Sequence, residues 1–333
     1  MIAKTIKPVY LDQMHWISLA QAYYGIFKGK RARDVREVLD IALLKVQNGL
    51  ATFPLSAVHI MEIAKAPDKD RRRRLARFVV ELSRGTSILP QVAIVAKQIL
   101  PAVQRLFSDC TPVDTVSVFG AGMNFAFGEH FIDDWDFRLR YPGSARLLSA
   151  IANSPEAMEY VLGDGDEAEN RASIAGLRQQ EFRMATRADT LRQKTQHYSR
   201  KERQTIYSAL LLNDLSLDIC RALSSLGRPQ GDFFQLGERT LQLVDDIASL
   251  YVERELVIER DSQTTRPPKG NDMLDIAALS AAIPYCHIVV TEKMWTHISN
   301  VRLIGSRFGT TVTHDLMTVG SALATLEPAA RAG

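Results

Sequence analysis

The chain has 333 residues, of which 46% are hydrophobic and 24% are charged, and its formal net charge is +3 at pH 7. This composition excludes a disordered or collagen-like chain, and the slight positive charge permits a nucleic-acid partner without requiring one. The three cysteines lie far apart and form no CxxC pair, which indicates reduced thiols rather than a disulfide framework or a zinc site.

The amino-terminal residues lead directly into a predicted strand, without the apolar segment and small-residue cleavage site of a signal peptide. No apolar run approaches the roughly 20 residues that a membrane-spanning helix needs. We therefore expect a cytoplasmic protein without a membrane partner.

The first 66 residues alternate between short apolar runs and helical patterns. Because parallel strands need helical crossovers between them, this alternation predicts an α/β domain of three layers with a central parallel sheet. The predicted elements are a strand over residues 7–11 that ends on Asp12, helices over 13–24 and 32–48, a strand over 51–55, and a helix that is capped by Ser56 and ends before Pro67.

Residues 67–260 carry mostly helical patterns, with long amphipathic stretches and few strand signals. We therefore predict that this stretch is an α-helical insertion. Residues 261–270 are polar and contain two prolines, which is typical of an exposed linker.

The α/β pattern resumes after residue 270, with a helix over 271–282, a strand over 286–291, a helix over 292–300 and a short strand over 310–313. We therefore expect one α/β domain that is split between residues 1–66 and 271–330.

Five acidic residues occupy informative places in this pattern. Asp12 and Glu292 each follow a predicted strand directly, and sites in parallel sheets form at the carboxyl ends of strands. Glu62 lies on a helix among apolar residues, where an unpaired carboxylate is costly to bury. Asp272 and Asp275 are spaced i, i+3 at the start of a helix and so share one face. Together these acids could hold Mg²⁺ or Mn²⁺, which prefer carboxylate oxygens.

Each acid also has a purely structural interpretation. Asp12 could cap the helix that follows it, and Glu62 could pair with a nearby lysine or arginine. Asp272, Asp275 and Glu292 could be ordinary acids in the first turn of a helix. The order and placement of the whole set favour the functional interpretation.

Four segments, taken in this order, resemble the PIN-domain nucleases, particularly larger PIN-like proteins whose domain is split. The resemblance covers roughly the first 65 and the last 65 residues and leaves the helical middle unmatched. The matching segments are residues 9–12 (VYLD), 56–63 (SAVHIMEI), 271–275 (NDMLD) and 284–292 (PYCHIVVTE).

This resemblance implies a Mg²⁺- or Mn²⁺-dependent endoribonuclease that leaves a 3′-hydroxyl and a 5′-phosphate. By position, Asp12, Glu62, Asp272 or Asp275, and Glu292 would be its metal ligands and catalytic residues. RNA is favoured over DNA as the partner.

Two departures from the family pattern keep other interpretations open. Glu292 stands where many members carry Asp, and His287 stands where an acid is expected. Both favour a non-catalytic PIN-like module that binds RNA or protein. A nuclease directed at DNA is a further alternative, because the same metal chemistry cleaves either backbone.

Two arginine-rich stretches, over residues 70–77 and 187–203, are candidate surfaces for nucleic-acid phosphates. The second stretch also contains aromatic side chains, which suits a surface that tracks a single strand. The alternative for each stretch is a solvated helix face. The candidate contacts are Arg71, Arg72, Arg73, Arg74, Arg200, Lys201 and Arg203, with Lys293 beside the last acid.

Overall fold

A computed structural model describes residues 6–107, 116–128, 150–151, 153–164, 167–263 and 266–327. The strands are β1 (Lys7–Leu11), β2 (Ala51–Thr52), β3 (Thr86–Ile88), β4 (Phe119–Ala121), β5 (Ile288–Val290) and β6 (Thr311–Thr313). The α-helices are α1 (Gln13–Tyr23), α2 (Ala32–Gln47), α3 (Ala57–Ala64), α4 (Lys69–Ser83), α5 (Gln91–Phe107), α6 (Gly122–Ala126), α7 (Pro155–Asp164), α8 (Glu167–Thr195), α9 (Arg200–Asp214), α10 (Ser216–Ser225), α11 (Gln230–Gln235), α12 (Gln242–Asp246), α13 (Ala248–Ser262), α14 (Gly270–Ala282), α15 (Lys293–Val301), α16 (Ile304–Phe308) and α17 (Met317–Ala324).

The chain folds into two compact units, each built from separate stretches of sequence. The first unit consists of Met1–Pro90, Val118–Leu177 and Tyr285–Gly333, and the second consists of Gln91–Ser117 and Arg178–Pro284. The boundary between residues 177 and 178 falls inside helix α8.

This division differs from the predicted one, which joined residues 271–330 to residues 1–66 and placed 67–260 in an insertion. Helix α4 belongs to the first unit because it packs against α1 and α7. Helix α14 belongs to the second unit because it packs against α13 and α5. The unit to which a helix belongs thus depends on the helices that it packs against, and its position in the sequence does not decide it.

The first unit contains a four-stranded parallel sheet in the order β2-β1-β5-β6. The predicted α/β class with a parallel sheet is therefore confirmed. In the register of β1 and β5, Val9 pairs with Ile288 and Leu11 with Val290. All four of these side chains are buried, as is typical of a parallel sheet that is covered on both faces.

The elements predicted for the two ends of the chain are present, and most of their bounds shift by two residues at most. The exception is the second strand, because β2 ends at Thr52. Ser56 caps α3 as predicted: its hydroxyl accepts from the backbone N–H of His59 at 3.4 Å, and its own N–H donates to Nδ1 of His59 at 3.1 Å.

The stretch predicted to be helical also contains two short strands. β3 and β4 pair in antiparallel fashion, with Thr86 opposite Ala121. Three-residue strands with polar residues or glycine are too short to show an alternating pattern. The segment predicted as a linker over 261–270 begins inside α13, where Asp261 is 3% exposed because it pairs with Arg260.

Aromatic side chains form the centre of the core of the first unit. The Trp16 ring meets Phe53 and Phe78 edge to face, at centroid distances of 6.4 and 6.2 Å. All three side chains are fully buried. Because Trp16 lies on α1, this packing fixes the helix that begins directly after Asp12.

The second unit is helical and is built around an aliphatic core. Residues of α5, α10 and α12 form this core, among them Ala102, Leu223 and Leu243. Across the described ranges of the chain, no helix combines the length and apolar character that crossing a membrane requires.

Helix α2 provides a matched test of the core. Leu39 is fully buried in the first unit, whereas Leu44 on the same helix is 52% exposed. We expect Leu39→Ala to lower the free energy of unfolding by about 3 kcal/mol, because it deletes buried methyl groups and leaves a cavity. Leu44→Ala should change it by less than about 0.5 kcal/mol. Urea unfolding followed by circular dichroism measures both, and equal effects would contradict the packing of α2.

Candidate active site at the carboxyl edge of the parallel sheet

The carboxyl ends of β1 and β5 lie side by side in the first unit. The backbone N–H of Asp12 donates to the carbonyl of Val290 at 2.8 Å, which continues the pairing of the two strands by one residue. Thr291 and Glu292 follow Val290 directly. The parallel register therefore brings the first and last predicted acids to the same edge of the sheet.

Asp12 is held in a fixed orientation. One carboxylate oxygen accepts from the backbone N–H of Gln13 at 2.6 Å, so Asp12 caps α1. The other lies 3.5 Å from the Thr291 hydroxyl. The capping role considered from the sequence is thus realised, and it leaves the second oxygen directed toward the end of β5.

Burial raises the pKa of Asp12, and the negative charge of Glu292 raises it further. The backbone N–H of Gln13 and the hydroxyl of Thr291 oppose this effect. Glu292 occupies the N-cap position of α15, but its side chain makes no capping hydrogen bond and is exposed. Among the described residues, neither Asp12 nor Glu292 forms a salt bridge. Two carboxylates that repel each other and lack a cationic partner form a donor set that suits a divalent cation.

His15, three residues after Asp12, was not identified from the sequence. Its ring is 6% exposed, and burial lowers its pKa to about 4, against the opposing effects of the Thr291 carbonyl and of Asp315. Its Nε2 atom has no hydrogen-bond partner in the part of the chain that the structure describes. The imidazole is therefore neutral at pH 7 and has an unused nitrogen close to the end of β5.

His314 and Asp315 add a third strand end to this edge, because they follow β6 directly. The charges of both residues act on His15, which places them near it. Asp315 forms a salt bridge to Arg31 at 2.7 Å, and this hydrogen bond lowers the pKa of the carboxyl. Asp315 lies two positions after the predicted strand over 310–313, so the preference for an acid directly after a strand does not select it.

Glu62 lies on α3, a helix that contacts β1 close to Asp12. The ring of His59, on the same helix, stacks on Tyr10 at a centroid distance of 5.0 Å. Tyr10 precedes Asp12 by two residues, so this contact fixes α3 against β1. Glu62 is half-buried, three residues after His59. No group of three or more Asp, Glu, His or Cys side chains forms a ready-made metal site within the described ranges.

Asp272 and Asp275 belong to the second unit, on α14. The carboxylate of Asp272 is 2% exposed and accepts two hydrogen bonds from Arg266, at 2.7 and 2.8 Å. It also accepts from the backbone N–H of Lys269 at 2.9 Å, which is the structural role considered from the sequence. Asp275 is half-buried one turn later. A metal at Asp272 would have to displace the guanidinium.

Two of the four predicted phosphate-binding arginines of α4 are used inside the first unit. Arg72 is 4% exposed and donates to the carbonyls of Gly163 and Ala66 at 3.2 and 2.9 Å. Arg73 forms a salt bridge to Asp164, with Nε and Oδ1 2.7 Å apart. Both side chains therefore hold α7 against α4.

The other two arginines, Arg71 and Arg74, remain available. Both are exposed, and neither forms a salt bridge in the described part of the chain. They line a cavity of about 220 Å³ together with Tyr24 and Asp68. Asp68 caps α4 by accepting from the N–H of Arg71 at 3.0 Å, and the two arginine charges help to lower its pKa.

In the second stretch, Arg200 bonds to Glu255 and Glu259. Arg203 donates to the carbonyl of Thr195 at 3.1 Å and to other groups of the second unit. Lys201 is exposed and forms no salt bridge in the ranges that the structure describes, and the same holds for Lys293 in the first unit.

Comparison of the chain with protein-family models, with curated proteins and with solved structures finds no match. Two close carboxylates can hold a hard divalent cation, and a buried neutral imidazole can accept a hydrogen bond from a water molecule.

The raised pKa of Asp12 makes its ionisation unfavourable for folding. Its carboxyl group supports the folded state fully below the ordinary aspartate pKa of 3.8, and this support is lost as the pH rises through the raised folded-state pKa. We therefore expect Asp12→Asn, in EDTA at pH 7.5, to raise the free energy of unfolding, because asparagine keeps the cap without the charge. The gain should shrink as the pH approaches 4.

Asp34→Asn is the matched control. Asp34 is an exposed acid in the first turn of α2, where a negative charge favours the helix. Its removal should leave the stability equal or lower. Urea unfolding at pH 7.5 and pH 4 measures the stability of both variants. An Asp12→Asn protein that is less stable than the parent at pH 7.5 would show that ionisation of Asp12 does not cost folding free energy.

Proposed function

We propose that the chain is a Mg²⁺- or Mn²⁺-dependent nuclease whose first unit is a PIN-like, three-layer α/β domain. Its preferred substrate would be RNA, cleaved internally. The observation that carries the proposal is the placement of Asp12 and Glu292, from opposite ends of the chain, at one edge of a parallel sheet. The order of the four PIN-like segments supports it.

Asp12 and Glu292 would hold the cation, with Glu62 as a further candidate on α3. When bound, the cation supplies a water of lowered pKa and neutralises charge on the phosphate. Thr291 keeps the Asp12 carboxylate oriented. Hydrolysis of the phosphodiester, with cleavage of the bond between phosphorus and the 3′ oxygen and protonation of that oxygen, would leave a 3′-hydroxyl and a 5′-phosphate. The roles of Asp272 and Asp275 stay predictions.

A second candidate function is a PIN-like module that binds RNA or protein without cleaving it. The observation that favours it is Asp272, a predicted ligand whose two oxygens are both bonded to Arg266. Such a module would still use the exposed cations of the first unit. It differs from the nuclease in having no metal-dependent turnover.

The first test is cleavage of end-labelled single-stranded RNA and DNA by the full chain in Mg²⁺, Mn²⁺ or EDTA. We expect metal-dependent cleavage of RNA. Asp12→Asn should reduce the rate by more than about a hundredfold, since losing even an outer partner of a metal ligand costs up to that much. Asp34→Asn should cleave at the parental rate.

Each outcome of this assay selects one function. Cleavage of DNA in preference to RNA would identify a DNA-directed nuclease. Metal-independent RNA binding without cleavage would establish the binding module. Full activity of Asp12→Asn would remove Asp12 from the site.

Arg71 and Arg74 are the predicted phosphate contacts in the first unit. In an Asp12→Asn background, which prevents cleavage, binding of single-stranded RNA should weaken with salt. Each arginine replaced by alanine should reduce the slope of log K against log salt by about 0.7, and the double variant by about 1.4.

Arg84→Ala is the matched control, because Arg84 is an exposed cation at the other end of α4. It should leave the slope unchanged. Fluorescence anisotropy at four salt concentrations measures the slopes. Equal slopes for Arg74→Ala and Arg84→Ala would remove α4 from the binding surface.

A further inference from the structure

The second unit contains a cavity of about 760 Å³ between helices α8, α9 and α13, with Met273 of α14 in its wall. This volume lies in the range of small-molecule sites in proteins, roughly 300 to 1,000 Å³. Part of the wall is aliphatic, from Leu191, Leu211 and Val257. Exposed residues line another part of the wall, so the cavity is open to solvent.

A buried guanidinium lines this cavity. Arg260 is 2% exposed, and it bonds to Asp261 through Nε at 2.8 Å and through Nη2 at 2.7 Å. The hydroxyl of Tyr207 donates to the same carboxylate at 2.5 Å. Asp261 therefore compensates the positive charge of Arg260, and the two hydrogen bonds between them fix the plane of the guanidinium group.

The remaining nitrogen of Arg260 has a poor partner. Nη1 donates to the thioether sulfur of Met273 at 3.0 Å, and both residues line the cavity. A thioether is a weak acceptor, whereas an anionic oxygen makes a short and strong bond to a guanidinium. A ligand oxygen would therefore gain by replacing the sulfur, and the flexible methionine side chain can move aside.

Two further cations lie on one face of α8. Arg187 and Lys194 are seven positions apart, line the same cavity and are exposed. Within the described ranges, neither forms a salt bridge. Two acids, Asp214 and Glu253, line the cavity as well. Burial and the charge of Asp214 raise the pKa of Glu253, and a hydrogen bond from Gln91 opposes this effect.

We propose that this cavity binds a small organic anion, a carboxylate or phosphate group carried on an apolar body. The anionic oxygen would bond to Nη1 of Arg260 in place of the Met273 sulfur. Arg187 and Lys194 would supply further positive charge to balance the anion. The apolar body would lie against Leu191, Leu211 and Val257. This site is separate from the proposed nuclease function and does not depend on it.

The probe is 1-anilinonaphthalene-8-sulfonate, an anion on an aromatic body whose fluorescence rises in apolar surroundings. We expect saturable binding to the full chain. Decanoate should displace the probe and decanol should not, if the anion is a carboxylate. Adenosine 5′-monophosphate should displace it and adenosine should not, if the anion is a phosphate. Displacement by a neutral compound as effectively as by its charged counterpart would overturn the proposal.

Variants locate the binding within the second unit. Ala188→Trp fills the cavity from α8, where Ala188 is 9% exposed and lines the wall. We expect it to weaken binding of the probe by more than about tenfold, which corresponds to 1.4 kcal/mol. Met273→Leu removes the competing sulfur at similar volume and should strengthen binding.

The double variant Arg187→Ala/Lys194→Ala changes only exposed side chains, so it keeps the proposal testable if Ala188→Trp fails to fold. It should weaken binding by about tenfold. Lys201→Ala, which removes an exposed cation from α9 outside the cavity, is the control and should bind as the parent does. Parental affinity in a folded Ala188→Trp protein, or in the double variant, would overturn the assignment.

Discussion

The parallel pairing of β1 with β5 is the interaction on which the candidate site depends. It joins strands whose following residues, Asp12 and Thr291, lie 279 positions apart in the chain. Closing so long a loop costs conformational entropy, but that cost grows only slowly with length. The buried apolar residues of both strands offset it. Because the N–H of Asp12 bonds to Val290, the backbone at Asp12 and at the end of β5 cannot separate without breaking the sheet.

The carboxylates differ in whether an arginine compensates their charge. In the second unit, two buried acids pair with arginines, Asp261 with Arg260 and Asp272 with Arg266. A buried charge costs much free energy unless an opposite charge pairs with it. At the edge of the parallel sheet, Asp12 and Glu292 form no salt bridge to any described residue, and burial and the charge of Glu292 raise the pKa of Asp12. Ionisable groups with perturbed pKa values are concentrated at functional sites.

Much of the first unit could be predicted from the sequence because its signals are local. The strands before Asp12 and Glu292 are short apolar runs, and Ser56 caps α3 through a hydrogen bond to a residue three positions away. Asp315 lies two positions after β6 and forms a salt bridge to Arg31. His15 carried no such signal, because only the packing of α1 on the sheet buries its ring.

The sequence by itself determined the helices, the strands of the parallel sheet and the acids that follow them, since periodicity and capping depend on residues a few positions apart. Only the tertiary structure decided which charges remain available. Arg72 and Arg74 belong to the same run of arginines, yet one is buried against Gly163 and the other is exposed. Helix α14 follows the same principle, because its place in the second unit depends on packing against α5, which is distant in sequence. Contacts of this kind depend on how helices pack, and a pattern within one helix does not encode the surface that it will meet.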